Sequence, residues 1–233
     1  MKAVRSLASA FKNRNGKYFW GETGEDAVAA SLLPELKGRF IDVGASHPIF
    51  GNNTYFSYRR GWTGIAIEPI PHYGPLWKIF RRRDQLIRAV VAKQVNPITF
   101  QIFDNPLLST SNKKISDFHK SRGLRSEEVT VETVRLSELL PTKLSSIDPF
   151  LLNIDVEGNE LDVLKTIDFI NQRPRVIMIE TWQFPWVERS EALAYLENNC
   201  EYKLVAYTGL TAILVPTEYE NSSIQLRQNL SII

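Results

Sequence analysis

The sequence predicts an α/β fold, in which a mostly parallel sheet is covered by helices on both of its faces. Short apolar segments such as "RFIDVG" at 39–44 and "FLLNID" at 150–155 alternate with helical segments along most of the chain. Continuous apolar strands of this kind are typical of parallel sheets that are buried on both faces. The last two apolar segments, "YKLVAYTG" and "LTAILVP" over 202–216, are joined by a Thr-Gly turn. We therefore expect a closing hairpin that adds an antiparallel strand.

The first part of the chain alternates helices and strands. A helix is predicted over "TGEDAVAASLLPEL", where Thr23 is the expected N-cap and Asp26 occupies the reciprocal capping position. A second helix, "NTYFSYRRG", ends at Gly61, a residue type that often closes helices. The other predicted elements are the strands "RFIDVG", "GIAIEP" and "LIRAVVA" and the helix "YGPLWKIFRRR". The arginines at 81–83 close that helix, and we interpret them as a solvated helix end.

The second part contains a less regular insert over about 93–148, followed by further strands and helices. These are "FLLNID" with its helix, "PRVIMIE" at 174–180, and the helix "RSEALAYLENN" before the hairpin. With 233 residues, 43% of them hydrophobic, the chain can bury one sizeable core. We predict a single domain over 1–233, with a basic N-terminal extension over 1–22 and a C-terminal tail over 217–233.

Charge and cysteine content exclude several classes of protein. The chain carries 28 basic and 26 acidic residues, so bulk electrostatics predict no nucleic-acid partner. Cys200 is the only cysteine, which excludes an intramolecular disulfide and indicates a reducing compartment. No apolar run approaches the ~20 residues of a membrane helix. We expect a cytoplasmic protein, although the basic N-terminus could lie peripherally on a membrane and the ending "SIQLRQNLSII" could dock on a second subunit.

Four predicted strands end in an acidic residue. In open α/β sheets, ligands bind outside the carboxyl ends of the strands, near the point where the strand order reverses. The sequence therefore predicts a row of carboxylates at the edge of the sheet where a ligand binds. The four residues are Asp42, Glu68, Asp155 and Glu180.

The turn after the first strand indicates what kind of ligand this is. Gly44 lets the backbone approach a ligand, but the residues after it lack the G-x-G-x-x-G pattern that binds a pyrophosphate. Glu68 follows Gly44 by 24 residues, close to the ~20-residue spacing of a carboxylate that holds ribose hydroxyls. A site for a ribose without a pyrophosphate suits S-adenosylmethionine, whose ammonium and sulfonium also favour acidic surroundings.

Several segments resemble the FkbM-type S-adenosylmethionine-dependent methyltransferases: "FIDVGASHP", "NNTYFSYRRGWTGIAIEP", "VRLSELL" and, most specifically, "DVEGNE" within "FLLNIDVEGNELDVLKTID". The resemblance implies a Rossmann-like class I methyltransferase fold and O-methylation, often of sugar hydroxyls. A small-molecule or glycan acceptor is then expected, with the insert shaping its pocket. The matching positions imply cofactor contacts from Asp42, Gly44, Ala45, Asn53, Thr54 and Glu68. Ala89 and Asp155 complete the expected set, although the strand around Ala89 lacks the acid that many methyltransferases place near adenine.

The chemistry at the strand ends has two readings. Methyl transfer to a hydroxyl requires a positioned acceptor and the removal of its proton. Asp155 and Glu180 end what we expect to be neighbouring strands, ~4.8 Å apart, and their carboxylates could share Mg²⁺, which would lower the pKa of the hydroxyl. Glu157 or His47 could instead act as a base without a metal.

Simpler explanations exist for some of these residues. Glu157 could merely cap the following helix, and Glu160 would then be a solvated residue inside that helix. The aromatic residues Trp182, Phe184 and Trp186 could either stack on a sugar or cover the end of the sheet. At the level of function, the alternatives are a methyltransferase of RNA or another macromolecule, and a cofactor-binding partner without catalysis in a glycan-assembly complex.

Overall fold

The computed structural model describes residues 19–181 and 190–219. Within these ranges the strands and helices alternate as the sequence predicts. The strands are β1 (Arg39–Val43), β2 (Thr63–Ile67), β3 (Gln85–Ile87), β4 (Val90–Val91), β5 (Ile98–Phe103), β6 (Ser126–Val131), β7 (Thr133–Val134), β8 (Phe150–Ile154), β9 (Val176–Glu180), β10 (Tyr202–Thr208) and β11 (Thr211–Pro216). The helices are α1 (Glu25–Leu32), α2 (Tyr55–Arg59), α3 (Gly74–Phe80), α4 (Lys113–Ser121), α5 (Leu136–Leu139), α6 (Glu160–Leu164) and α7 (Glu191–Asn199).

Seven strands form the main sheet, in the order β10-β11-β9-β8-β1-β2-β3. The strands from β9 to β3 are parallel, and β11 pairs antiparallel with both β9 and β10. This confirms the predicted Rossmann-like α/β class with its closing hairpin. The strand order reverses between β1 and β8, because the chain builds outward from β1 to β3 and then returns to the other side of β1. The ligand site predicted at that reversal therefore has a defined place.

Neighbouring residues on the central strands are buried on opposite faces of the sheet, which explains why their sequences are apolar throughout. Ile41 and Leu152 belong to the larger core cluster, which also holds residues of α6 and α7. Phe40 and Leu151 belong to a second cluster with Trp62 and residues of α1. Both sets are almost completely buried. A parallel sheet covered on both faces needs this pattern.

The predicted third strand is wrong in its extent. The segment predicted as one strand, 86–92, is divided into β3 and β4. Ile87 still bonds to the main sheet through its carbonyl, which accepts from the backbone N–H of Glu68 at 3.0 Å. Val90 instead donates to the carbonyl of Glu132, within the insert. The chain leaves the main sheet after Ile87 because the insert offers β7 as a new partner.

The predicted cap of the first helix is also wrong. Helix α1 begins at Glu25, and Gly24 occupies the N-cap position with a φ of 87°. Thr23 does not cap the helix through its side chain; its hydroxyl donates to Glu25 at 2.7 Å. Asp26 accepts from the backbone N–H of Trp20 at 2.7 Å. Two buried acids thus hold the segment before the helix.

The insert forms an antiparallel pair of strands, β5 and β6, with helix α4 between them in the chain. Among the described residues, no helix is long and apolar enough to cross a membrane. The predictions for residues 1–18, for the aromatic residues at 182–186 and for most of the C-terminal tail lie outside the described residues.

Candidate active site

Two adjoining cavities lie at the carboxyl edge of the main sheet. The larger has a volume of about 440 Å³ and the smaller about 200 Å³. They share a boundary formed by Gly44 and Ser46 after β1, Asp155 after β8, and Glu180 at the end of β9. The smaller cavity is also lined by Glu22, Glu25, Asp42, Ala45, Asn53 and Asn153. The larger continues past Glu68, Pro69, Ile70, Ala89, Val90, Val91 and Phe100, and is bounded by Asn105, Pro106, Leu107, Leu108, Ser109, Ser111 and His119 of the insert.

Gly44 is required by a close approach between two backbone segments. Its φ is +79°, and a Cβ atom placed on it would lie 1.6 Å from the carbonyl oxygen of Asp155. The backbone N–H of Gly44 donates to Ile67, and that of Asp155 donates to Val43. The glycine therefore brings the ends of β1, β2 and β8 together, which sets the acids of these strands around one crevice.

Asp42 points into a buried polar network beside the smaller cavity. Its side chain is 1% exposed and accepts hydrogen bonds from Thr54 Oγ1 at 2.7 Å, Asn153 Nδ2 at 2.8 Å and Asn52 Nδ2 at 3.2 Å. Burial raises the pKa of Asp42, and these hydrogen bonds oppose the rise. Asp42 lines the smaller cavity but is largely committed to fixing the loop after β1.

Glu68 is aimed at the larger cavity by two backbone groups. Its Oε2 accepts from the N–H of Ser46 and its Oε1 from the N–H of Ile70, both at 2.7 Å. Burial is the main cause that raises the pKa of Glu68 to about 7, although these bonds lower it. Each carboxylate oxygen can accept a second hydrogen bond. Two adjacent hydroxyls of a ribose would therefore find acceptors here.

Three carboxylates meet where the two cavities join. Asp155, Glu157 and Glu180 each offer an oxygen, and these atoms lie within 4.8 Å of one another. We call these three residues the acid cluster. Among the described residues, no ion pair joins the acid cluster to a lysine or arginine. Two adjoining strands and the tight turn after β8 thus bring three acidic groups close together.

The environment of the acid cluster favours protonated or cation-bound forms. Desolvation, and then repulsion from neighbouring acids, raise the pKa of Asp155 to about 7, of Glu157 to about 9 and of Glu180 to about 11. Glu180 Oε2 is buried and has no hydrogen-bond partner among the described residues. A positively charged ligand at this place would lower all three pKa values and stabilise the charged forms.

Glu160, and not Glu157, caps the turn before α6. Glu160 is buried, and its Oε1 accepts from the backbone N–H groups of Gly158 at 3.0 Å and Val156 at 3.2 Å. The reading of Glu160 as a solvated helix residue is therefore wrong. Glu157 has a φ of 54°, and its carbonyl accepts from Thr110 Oγ1 of the insert at 2.9 Å. This strained turn leaves the carboxylate of Glu157 in the acid cluster.

The sequence matches the methyltransferase FkbM domain over residues 42–204, which is more than half of the chain. The chain belongs to the FkbM methyltransferase family. The match begins at Asp42 and includes Glu68 and the whole acid cluster, whereas Glu22 and Glu25 of the smaller cavity precede it. No curated protein matches the sequence.

Solved structures of methyltransferases are similar at low sequence identity. One is the methyltransferase FkbM from Methylobacillus flagellatus KT, with 15% identity and a TM-score of 0.44 over 77% of this chain. This chain covers 44% of that protein's length. A precorrin-6y C5,15-methyltransferase from Geobacter metallireducens GS-15 has 13% identity and a TM-score of 0.42, with coverages of 82% of this chain and 84% of that one. A 1,6-didemethyltoxoflavin-N1-methyltransferase from Burkholderia thailandensis, solved with 1,6-didemethyltoxoflavin and S-adenosylhomocysteine, has 12% identity and a TM-score of 0.41, with coverages of 92% and 87%.

The residues of this FkbM domain fit S-adenosylmethionine, the methyl donor that the family implies. Asn53 lines the smaller cavity, and its Nδ2 donates to Asn153 Oδ1 at 3.2 Å. Asn53 Oδ1 is buried and has no partner among the described residues, so it is a free acceptor for an ammonium group. Ala45 lines the same cavity, and Ala89 lines the larger cavity with apolar neighbours that suit a nucleobase. Their contacts with the cofactor stay predictions.

Thr54 and His47 are not brought into either cavity of the FkbM domain. Thr54 is completely buried, where its hydroxyl bonds to Asp42 and accepts from Arg81 Nη2 at 3.0 Å. His47 Nδ1 accepts from the backbone N–H groups of Phe50 at 3.0 Å and Ile49 at 3.2 Å, which folds the loop after β1. Both residues stabilise the loop after β1. Among the described residues, no hydrogen bond joins His47 to the acid cluster.

Arg81 is a buried arginine that the sequence patterns did not predict. It is 1% exposed and forms an ion pair with Asp84 at 2.6 Å. Its guanidinium also donates to Asn52 Oδ1 at 2.9 Å and to Thr54 Oγ1. The interpretation of residues 81–83 as a solvated helix end is therefore wrong for Arg81. The polar residues after β1 were the sequence signal for a buried arginine. Asn52 and Thr54 are buried there, and their side-chain oxygens need a hydrogen-bond donor.

Proposed function

We propose that this FkbM domain is an S-adenosylmethionine-dependent O-methyltransferase that acts on a hydroxyl of a sugar, in a glycan or a glycosylated metabolite. The observation that carries the proposal is the acid cluster at the junction of the two cavities. A hydroxyl is a weak acid, so the group that accepts its proton must lie beside the methyl donor. Nucleic acid is not proposed as the acceptor, because the net charge is only +2.

The two cavities define one orientation for the cofactor. The smaller cavity is lined by five acids besides Asn53, which suits the ammonium of the methionine part: Glu22, Glu25, Asp42, Asp155 and Glu180. The larger cavity presents Glu68 to the ribose and the apolar residues Ile70 and Ala89 to the base. With the two ends in these places, the sulfur lies at the boundary beside the acid cluster.

The residues of the acid cluster then hold and deprotonate the acceptor. S-adenosylmethionine, when bound, supplies a methyl carbon that its sulfonium makes electrophilic. Asp155 and Glu180 orient the acceptor hydroxyl toward that carbon, and a carboxylate of the cluster takes its proton. The carbon–oxygen bond forms as the carbon–sulfur bond breaks, and the sulfur keeps the electron pair. The positive charge of the cofactor would favour the ionised carboxylates, and a carboxylate whose pKa is raised is a stronger base than an ordinary one.

The same geometry suits a divalent cation, and we include Mg²⁺ in the proposal. Three carboxylate oxygens within 4.8 Å of one another resemble a set of hard ligands, of the kind that Mg²⁺ prefers. Asp155, Glu157 and Glu180 would hold the ion, which would lower the pKa of a bound hydroxyl. Without an ion, the same carboxylates act directly as the base.

A methyl-transfer assay tests the proposed function. The protein is incubated with S-adenosylmethionine labelled in its methyl group and with separate panels of sugars, glycosides, amines and RNA. Transfer to hydroxyls of sugars, with S-adenosylhomocysteine formed in equal amount, supports the proposal. Transfer to amines or RNA in preference to sugars contradicts the proposed acceptor, and failure to bind the cofactor contradicts the function as a whole.

Chelation separates the two forms of the chemistry. We expect excess chelator to reduce turnover at least tenfold and added Mg²⁺ to restore it, while affinity for S-adenosylhomocysteine changes little. Full turnover in chelator would exclude the metal form and leave direct proton transfer to the acid cluster. The control is the variant Asp162→Asn, which should respond to chelator and Mg²⁺ as the wild-type protein does. Asp162 is an exposed acid on α6, close in sequence to the acid cluster but outside it.

A further inference from the structure

His119, on helix α4 of the insert, is a buried polar side chain that the proposed function does not yet use. It is 6% exposed and lines the larger cavity. Its ring lies edge-on to Phe103, with centroids 5.3 Å apart, and is tilted against Phe118 at 5.6 Å. Its Nε2 atom is buried and has no hydrogen-bond partner among the described residues. Buried polar atoms are almost always paired, so an unpaired one on a residue that lines a cavity indicates a ligand.

The cavity that His119 lines is the one that presents Glu68 and the apolar residues Ile70, Ala89 and Phe100. An adenine in this apolar end would bury its faces, but its exocyclic amino group would still need an acceptor. The sheet edge does not offer one, because β3 is followed by Arg88 and Ala89 rather than by an acid. The acceptor must come from elsewhere.

Other polar side chains on the insert side of the cavity are already engaged. Asn105 Oδ1 accepts from the backbone N–H of Leu107 at 3.3 Å, and Ser109 Oγ accepts from that of Phe103 at 3.1 Å. Ser111 Oγ accepts from Asn159 Nδ2 at 3.0 Å. His119 Nε2, in contrast, has no partner among the described residues, and burial lowers the pKa of its imidazole, which keeps the ring neutral.

The insert is attached firmly enough to the active site to hold this nitrogen in place. Asn112, the N-cap of α4, donates from Nδ2 to the carbonyl of Gly158 at 2.7 Å. Its Oδ1 accepts from the backbone N–H of Lys114 at 3.0 Å. A Cβ on Gly158 would lie 2.0 Å from Ile115 Cδ1, so α4 packs closely on the turn that carries the acid cluster. The position of α4 is therefore fixed by the same turn as the catalytic carboxylates.

We infer that His119 recognises the adenine of the cofactor by accepting a hydrogen bond at Nε2 from its exocyclic amino group. The inference rests on the proposed function, since it takes the larger cavity as the site of the adenosine part. It assigns base recognition to the insert rather than to the edge of the main sheet.

The test compares two ligands on two proteins. The ligands are S-adenosylhomocysteine and its analogue in which the base lacks the 6-amino group. We expect the wild-type protein to bind the analogue about tenfold more weakly, the loss of one hydrogen bond. His119→Phe, which keeps a ring against Phe103 and Phe118, should bind both ligands within about twofold of each other. Calorimetric titration measures the four affinities, and His72→Phe is the control because His72 is exposed.

The outcomes separate the inference from the function on which it rests. If the wild-type protein binds S-adenosylhomocysteine and His119→Phe discriminates between the two ligands as well as wild type does, the inference is overturned alone. If the wild-type protein binds neither ligand, the proposed function is overturned with it. The variant His119→Asn, with a side-chain acceptor in place of imidazole, gives a further comparison of affinity for the amino-bearing ligand.

Nitrogen NMR gives a readout that does not depend on any variant folding. The chain has three histidines, so labelling them with ¹⁵N gives few imidazole signals to assign. S-adenosylhomocysteine should move the Nε2 resonance of His119 in the wild-type protein, whereas the analogue without the amino group should move it much less. Equal shifts with both ligands, or none with either although both bind, would contradict the inference.

Discussion

At the scale of single residues, the site depends on carboxylates held by backbone groups. Glu68 is fixed by the N–H groups of Ser46 and Ile70, and Glu160 by those of Val156 and Gly158. Asp42 is held by side chains instead, and its own partner Thr54 is bonded to the buried Arg81. Acids near the same sheet edge thus differ in role according to what surrounds them. Asp42 and Glu160 mainly stabilise loops, whereas Glu68 faces the larger cavity.

Glu68→Gln should weaken the binding of S-adenosylhomocysteine by about tenfold or more, with little change in fold. The reason is that a hydrogen bond to a charged acceptor contributes about 1.5–3 kcal/mol, and the amide offers one uncharged acceptor in its place. Calorimetric titration measures the affinity, and Glu127→Gln, at an exposed position of β6, is the matched control. Unchanged affinity would remove Glu68 from the ribose site.

Asp155→Asn should reduce turnover by a hundredfold or more, while affinity for the cofactor product falls far less. This follows because the carboxylate acts on the acceptor hydroxyl, where general base or metal assistance contributes on the order of 10²–10⁴. The methyl-transfer assay gives kcat, and Asp162→Asn is again the control. Equal losses in cofactor affinity and in turnover would make Asp155 a cofactor ligand alone.

At the scale of elements, the site is assembled by turns that bring strand ends close together. Gly44 lies against the carbonyl of Asp155, and Gly158 lies against Ile115 of α4. The first contact joins β1 to β8, and the second joins the insert to the turn after β8. The main sheet therefore supplies the acids, and the insert closes the cavity over them.

Gly44→Ala should destabilise the protein by at least about 3 kcal/mol, because its φ of +79° is unfavourable for alanine and the added Cβ meets a backbone oxygen at 1.6 Å. Gly74→Ala is the control: its φ is −51°, and no atom lies within 4 Å of an added Cβ. That change should be neutral or stabilising by about 0.4–1 kcal/mol. Chemical denaturation measures both, and a small loss for Gly44→Ala would contradict the close approach.

At the scale of the whole molecule, the described residues concentrate acidic groups at one edge of a nearly neutral chain. The net charge is +2, yet the acid cluster, Glu68 and Asp42 surround the same pair of cavities. Their raised pKa values mean that the folded protein binds protons more tightly than the unfolded chain does. The stability of the protein and its affinity for a cationic ligand should therefore depend on pH in opposite directions.

The melting temperature of the protein without ligand should fall as the pH rises from about 5 to 9. A carboxyl whose pKa is higher in the folded protein stabilises the fold fully below its pKa in the unfolded chain, which is 4.5 for Glu68. That stabilisation is lost as the pH rises to about 7 for Glu68 and to about 9 for Glu157. Scanning calorimetry in chelator measures this trend. The increase in melting temperature caused by S-adenosylmethionine should grow over the same range, because its positive charges favour the ionised carboxylates. A melting temperature that rises with pH without ligand would contradict the assignment of these groups as buried acids.

The sequence by itself determined the fold class, the closing hairpin and the position of the acids at the ends of strands. Apolar strands, helix signals and an acid at the end of four strands are local patterns, and parallel strands bring their carboxyl ends to one edge. Tertiary structure decided which acids face the cavities. Glu160, and not Glu157, takes the capping role, because the turn at Gly158 has a positive φ and places Glu160 over the free N–H groups. Only folding brings the insert and the strand ends into contact, so the burial of Arg81 and the placement of His119 depend on residues far apart in the chain.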